Sequence, residues 1–269
     1  MIESTLAFIT LPFVQRAIIA GCSIGIAAAF LGVFVTLRNM SFYADTISHT
    51  ALAGIALGVV FNIAPFIAAV IFCVALGIMT VYLKTRSAVA LDTVIGVMFA
   101  GGVALGVAIL SRLQGYRAEL FTFLFGDILA VTWDDIWLAT LLSAGIVIFL
   151  LYASKRLLLS TFASDLAYVR GIAVQRLEYA FFIVTSLTIA LSIKVIGIIL
   201  MTGLLIIPAA IAKNLAQSFK QTVGYAMIVS VLSTISGMVV SWYSDLPSGP
   251  SIILVGTVGF ILSTVLKRR

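Results

Sequence analysis

The chain has 269 residues, of which 62% are hydrophobic and only 10% charged, with a mean hydropathy of +1.24. A water-soluble fold needs more polar surface than this, whereas a chain that crosses a bilayer several times does not. The formal charge of +6 therefore points to bases held on one side of a membrane rather than to a nucleic-acid partner. Cys22 and Cys73 both fall inside apolar runs and are expected as small core residues, with neither a disulfide nor a reactive thiol. Glu3 precedes any base, and the first is Arg16, so the basic leader of a cleaved signal is missing and the first span is expected in the mature protein.

In chain order, Pro12 can open a helix, and the first span is expected over about 14–37, closed by Arg38. The second runs over about 43–61, and Asn62 to Pro65 form a tight turn, because proline disfavours a helical residue before it. The third covers about 65–83, closed by Lys84 and Arg86, and the fourth about 88–110. Residues 111–135 are mixed. About 120–130 would make only a short half-helix, and Phe121, Phe123, Phe125 and Trp133 suit an interfacial or re-entrant segment. The fifth span is expected over about 136–153, followed by the most polar interior segment, 155–176. The sixth and seventh cover about 177–193 and 195–212, divided near Lys194, and Pro208 should kink the seventh or relax its last turns. The eighth and ninth cover about 222–243 and 251–266.

The expected fold is thus an all-α polytopic membrane protein, a single transmembrane domain over 1–269 with about nine spans. With the C-terminus in the cytoplasm, twelve of the sixteen bases fall inside, and only Arg16, Arg112, Arg117 and Lys194 outside. The N-terminus is then outside, 111–135 is an outer segment, and 155–176 is cytosolic. Three pairs of small residues are spaced for close helix packing: Gly21/Gly25, Gly54/Gly58 and Gly102/Gly106. The first and last are expected within the chain, and Gly54/Gly58 is open as a seam between subunits.

The chemistry-bearing stretch is 38–58, RNMSFYADTISHTALAGIALG, with the only histidine, His49, four residues after Asp45. On a helix these two share a face, one turn apart. A carboxylate beside an imidazole at the edge of lipid is costly unless it is used, and the pair suits a divalent transition metal. The structural alternative is that Asp45 caps a helix and His49 sits at the headgroup level. There is no GxxxxGK[ST] phosphate loop, no HExxH and no intramembrane aspartate pair, so the chain is expected to be a conduit and not a catalyst. A secondary transporter would show buried carboxylates at several mid-span positions, whereas Asp45 and Asp92 are the only acids near spans 2 to 4, both close to their inner ends.

Four stretches resemble the permeases of bacterial metal-ion ABC importers, the ABC-3 family: FYADTISHTALAGIALG (42–58), LFGDILAV (124–131), ASDLAYVRGI (163–172) and GLLIIPAAIA (203–212). The resemblance covers nearly the whole chain. It implies a permease domain in the inner membrane that works as a homodimer or pseudo-symmetric dimer, two cytosolic ATPase subunits and an extracytoplasmic metal-binding protein. It also implies that Asp45 and His49 line the metal path and that Asp165, Tyr168 and Gly171 lie in the segment coupled to the ATPase. That segment often begins with a Phe-Asp pair in the family; here Ala163, Ser164 and Asp165 keep the acid and not that spacing. A short helix over 165–171, with an acid at its start and glycine at its end, agrees with this, the alternative being an amphipathic interfacial helix. Asp127 is the candidate outer-gate residue. No cofactor is expected to stay bound. The cargo is a divalent metal, and the GIALG and IPAA wording is closer to zinc-type members than to manganese or iron ones.

Overall fold

The computed structural model describes residues 10–112 and 131–266. Among these residues the chain is all-helical, with nine helices: α1 Pro12–Leu37, α2 Ser41–Val60, α3 Pro65–Arg86, α4 Leu91–Leu110, α5 Trp133–Phe162, α6 Ser164–Val169, α7 Val174–Leu215, α8 Phe219–Ser244 and α9 Ser248–Leu266. Seven of them are long and apolar enough to cross a membrane; α2 and the short α6 are outside that set. The expected outer half-helix at 120–130 and Asp127 lie outside the described residues.

Most ends follow local chemistry. Pro12 and Pro65 open α1 and α3, where a missing N–H costs nothing. Asn62 takes a left-handed φ of 53° in the turn between α2 and α3. At the start of α5, the Thr132 hydroxyl accepts from the Asp135 amide, while the Thr132 N–H and O–H both donate to the Asp135 carboxylate. This is a reciprocal capping box. Ser218 caps α8 in a similar way, accepting from the Gln221 amide at 3.4 Å.

Two expectations need correction. α5 continues nine residues beyond 153, through Lys155 and Arg156 to Phe162. Its apolar periodicity persists past the bases, and Leu157 is fully buried, so the first third of the polar segment is helix. The expected division at Lys194 lies three residues later, at Gly197, whose φ of 77° and ψ of 169° interrupt α7. Only glycine adopts that conformation readily. An unbroken helix of 42 residues would be about 63 Å long, twice the hydrocarbon thickness. Segments 174–196 and 198–215 are each about the length of one span. Pro208 is carried inside the helix without any such interruption.

The chain divides into two compact units. One consists of residues 10–36, 131–147 and 192–266 among those described. Its centre is α1, buried on all sides from Ala27 to Val35. Phe34 stacks with Phe30 at 6.0 Å and meets Phe219 at 5.4 Å. The backbone of α1 at Gly32 is pressed onto the Leu205 carbonyl, and Gly237 of α8 is pressed onto Ile252 of α9.

The other unit consists of 37–112 and 148–191. Here α2 is gripped from two sides. Gly54 and Gly58 lie against Ala69, Ala68 and Pro65 of α3, and Gly102 and Gly106 of α4 lie against Thr50 and Ala53. The Gly54/Gly58 pair is therefore a seam within the chain and not one between subunits. Buried Tyr43 crosses to α7, where its hydroxyl and that of Ser186 are 2.6 Å apart and its ring meets Phe182 edge-on. Two buried hydroxyls of α2 are satisfied by their own helix: Thr46 donates to the Phe42 carbonyl and Thr50 to that of Thr46.

Candidate functional site

α2 is buried along most of its first three turns and accessible along one stripe. Tyr43, Ala44, Thr46, Ile47, Ser48, Thr50 and Ala51 are buried, whereas Phe42, Asp45, His49 and Leu52 are not. The spacing of three, four and three residues marks one helical face. Both candidate metal ligands sit on it, half-buried, at the middle of the stripe. Phe99 of α4 closes its edge, with its ring perpendicular to His49 at 5.9 Å and tilted against Phe42 at 5.1 Å. Sequence reasoning missed Phe99; its only signal was an aromatic among small residues in FAGGVA.

The structural alternative for Asp45 does not hold. The cap position of α2 is Met40, with no side-chain cap bond, and Asp45 lies a full turn inside the helix. Thr46 and Ser48, which could have added an oxygen, are fully buried and off the stripe, with Thr46 already bonded to its helix. Among the described residues no group of three or more His, Cys, Asp or Glu side chains gathers. One chain thus offers a dication one carboxylate and one imidazole at this place.

In the same unit, the ends of α1, α3 and α5 and the start of α7 meet around a cavity of about 330 Å³. Arg38 donates to the Ser160 and Thr161 hydroxyls, both at 3.0 Å, and its guanidinium lies over the Phe181 ring at 4.6 Å. Burial lowers the pKa of Arg38, opposed by the charge of Glu178. Lys84 pairs with Glu178 across the same cavity. Lys84 and Glu178 pair, and Arg38 is held by two hydroxyls and a ring, so these contacts tie the ends of α3 and α5 to the start of α7.

In the first unit, Lys194 donates to the Asp135 carboxylate at 2.8 Å. Burial alone would raise the Asp135 pKa. The Lys194 ammonium and the Thr132 hydrogen bonds outweigh it and hold the carboxyl below its usual range.

The short helix α6 carries the expected coupling residues. Asp165 lies in its first turn but does not cap it, since Ala163 holds that position without a side-chain bond. Its end is a Schellman motif: Ile172 N–H donates to the Ala167 carbonyl and Gly171 N–H to that of Tyr168. Gly171 has a φ of +72°, which explains the residue type there. Ala167 anchors the helix from below, and Tyr168 and Val169 project outward, 79% and 81% exposed. Val169, unmarked by the sequence reading, extends the apolar tip.

Seven long apolar helices among the described residues define a multi-pass membrane protein. The chain belongs to the ABC 3 transport family, whose pattern matches residues 10–267. It is 37% identical to the high-affinity zinc uptake system membrane protein ZnuB of Haemophilus influenzae, over 94% of this chain and 97% of that one. It is 32% identical to the manganese transport system membrane protein MntC of Halalkalibacterium halodurans, over 93% and 86%. Among solved structures, PsaBC from Streptococcus pneumoniae in complex with Fab superposes with a TM-score of 0.85 at 30% identity, covering 99% of this chain and 96% of that one. The chain is accordingly a permease subunit of a metal-ion ABC importer. It is not itself catalytic; ATP is hydrolysed on a separate ATPase, and a substrate-binding protein completes such systems.

Proposed function

We propose that two copies of this chain form the inner-membrane path of a zinc importer, taking Zn²⁺ from an extracytoplasmic binding protein to the cytoplasm. Two cytosolic ATPase subunits drive it. The observation that carries this reading is the α2 stripe, where Asp45 and His49 stay accessible while the other residues from Tyr43 to Ala51 are buried. Such a face is unsuited to lipid and suited to a pore shared with a second copy. α4 beside it leaves small residues uncovered, with open space at Gly96 and Gly101, as close approach by another helix requires. Asp and His ligands accept zinc or manganese. Zinc is favoured by the higher identity to the zinc-system relative than to the manganese one. No permanent cofactor is part of this proposal.

Vesicles holding the permease and its ATPase, with ATP inside and binding protein outside, test it. Zinc-loaded binding protein should support uptake and manganese-loaded protein should not; manganese uptake alone would overturn the metal assignment. In the same vesicles Asp165, Tyr168 and Gly171 are assigned to the surface that meets the ATPase, with Gly171 shaping the turn. Because Gly171 is held at positive φ, side-chain replacement there strains the backbone, and the exposed tip is the better probe. Tyr168→Ala/Val169→Ser should reduce uptake about tenfold or more, as loss of a central interface anchor does. Unchanged uptake and ATPase retention would leave α6 as an interfacial helix.

The proposed orientation has nine spans, the N-terminus outside and the C-terminus inside, with 174–196 and 198–215 as separate spans. Two groupings support it. Arg38, Lys84, Ser160 and Glu178, all assigned inside, line one cavity. Lys194 and Asp135, both assigned outside, pair with each other. In a cysteine-free background, an impermeant thiol reagent should label Ser244→Cys in intact cells and not Ser164→Cys, both positions being exposed. The reverse pattern would invert the topology. Asp127 remains proposed as an outer-gate residue on the same side as position 244.

A further inference from the structure

Between the end of α5 and the start of α7 the second unit holds another cavity, of about 490 Å³. Three arginines line it, Arg156, Arg170 and Arg176, with Ile172, Leu177 and the Gly171 turn. All three are exposed. No carboxylate lines the cavity, and neither ion pair among the described residues involves these arginines. In the Arg38 cavity, by contrast, a carboxylate, Glu178, lines the space beside Lys84 and Arg38. Three guanidiniums around one space repel one another unless an anion lies between them.

Two features prepare the site. The Schellman turn at Gly171 fixes the backbone between Arg170 and Arg176. Arg156 lies over the ring of Tyr152, 5.1 Å from its centroid, which limits where its fork can point. The same helix shows what reaches the cavity from the other direction. Ile148, Leu151 and Tyr152 of α5 are 66%, 62% and 73% exposed, and Lys155 and Arg156 continue that face one turn later. An uncovered apolar stripe on a membrane helix faces acyl chains, and the aromatic at its end followed by bases marks the headgroup level.

We propose that this cavity binds the headgroup phosphate of an anionic phospholipid, whose acyl chains lie along Ile148, Leu151 and Tyr152. Arginine is the side chain suited to this, because its planar fork meets phosphate oxygens in pairs. The apolar approach distinguishes the site from one for an acidic protein surface, which would meet the arginines without needing the stripe. Tyr168 and Val169, at the outward tip of α6, do not line the cavity. The site requires only that the chain spans a membrane and is independent of the metal pair.

The test uses the purified permease–ATPase complex in micelles containing equal phosphatidylglycerol and phosphatidylcholine, with retained lipid counted by native mass spectrometry. The intact complex should retain phosphatidylglycerol selectively. Retention should fall about fivefold for each arginine replaced by glutamine in Arg170→Gln and Arg170→Gln/Arg176→Gln, following the electrostatic attraction of one base near an anionic surface. Leu151→Asn should also weaken retention, whereas a site for free phosphate would not respond to it. Unchanged elution and ATPase content in each variant control for folding. Equal phosphatidylglycerol retention by the double variant would overturn the proposal. So would loss of the ATPase with lipid retention intact, which would assign the arginines to subunit docking. Displacement of the lipid by inorganic phosphate, with no effect of Leu151→Asn, would overturn the lipid assignment in favour of a soluble anion.

Discussion

Asp45→Ala and His49→Ala should each abolish metal uptake while leaving the permease–ATPase complex assembled. Both side chains lie half-buried on the stripe of α2, so their loss removes the proposed metal ligands and leaves the fully buried residues of the helix in place. Charge balance supports the proposed sharing of this site between two copies. One carboxylate leaves a dication with a net positive charge in a low-dielectric path, where lost hydration is costly. Two copies meeting at this stripe supply two carboxylates and two imidazoles, a neutral N₂O₂ set suited to tetrahedral zinc and, with added water, to manganese. In the proposed site binding has to be weak enough for release, since a conduit has to pass its ion on. A tethered dimer carrying His49→Ala in one half only separates the shared site from two independent ones. The shared site predicts that the hybrid transports at least about tenfold less than the unmutated tether, by analogy with the loss of outer partners and ligands in metal sites. Transport by the hybrid at the unmutated rate would exclude sharing.

What was legible in the sequence was set by periodicity and charge. The i, i+4 spacing of Asp45 and His49 placed both on one face, and the structure leaves that face accessible. The bases at 38, 84 and 86 marked helix ends to within a few residues. What was not legible depended on partners far along the chain. Gly54 and Gly58 have the spacing of a subunit seam, yet Ala68 and Ala69 of the next helix occupy it. The spacing of small residues states that something comes close and does not name it. The bases at 155 and 156 looked like a helix end. Instead α5 continues, because Leu157 packs in the core and Arg38 reaches across to Ser160 and Thr161. The break in α7 was expected near Lys194, and its place at Gly197 was hidden among the β-branched neighbours Val195, Ile196, Ile198 and Ile199. Glu178 was the other missed signal: a lone acid at the start of a span needs a cation, and Lys84 supplies it.

Gly32→Ala should leave almost no folded permease. A Cβ at position 32 would stand 1.7 Å from the Leu205 carbonyl oxygen and 2.8 Å from its carbon. These are backbone atoms of a buried helix and cannot rotate away, so α1 and α7 would have to separate. Ordinary overpacking costs about 1–3 kcal/mol. Separating two helices also forfeits contacts along their length, and the cost here should exceed that range. Leu205 belongs to the GLLIIPAAIA stretch, where Leu205, Ala209 and Ala212 are buried and Gly203 is pressed against Ile253. This stretch therefore holds its residue types for close packing rather than for metal chemistry. A graded series follows from the same geometry. Gly237→Ala, which meets the Ile252 backbone at 2.3 Å, should rank next. Gly25→Ala should cost less, because its nearest neighbour at 2.6 Å is the side-chain hydroxyl of Ser230. Gly145→Ala and Gly224→Ala meet nothing within 4 Å, and alanine favours helix over glycine by about 1 kcal/mol, so neither should lower stability. Yield of monodisperse protein and the midpoint of thermal unfolding in detergent read the series. A Gly32→Ala protein that unfolds at the same temperature as Gly145→Ala would show that α1 and α7 are not in backbone contact at this point.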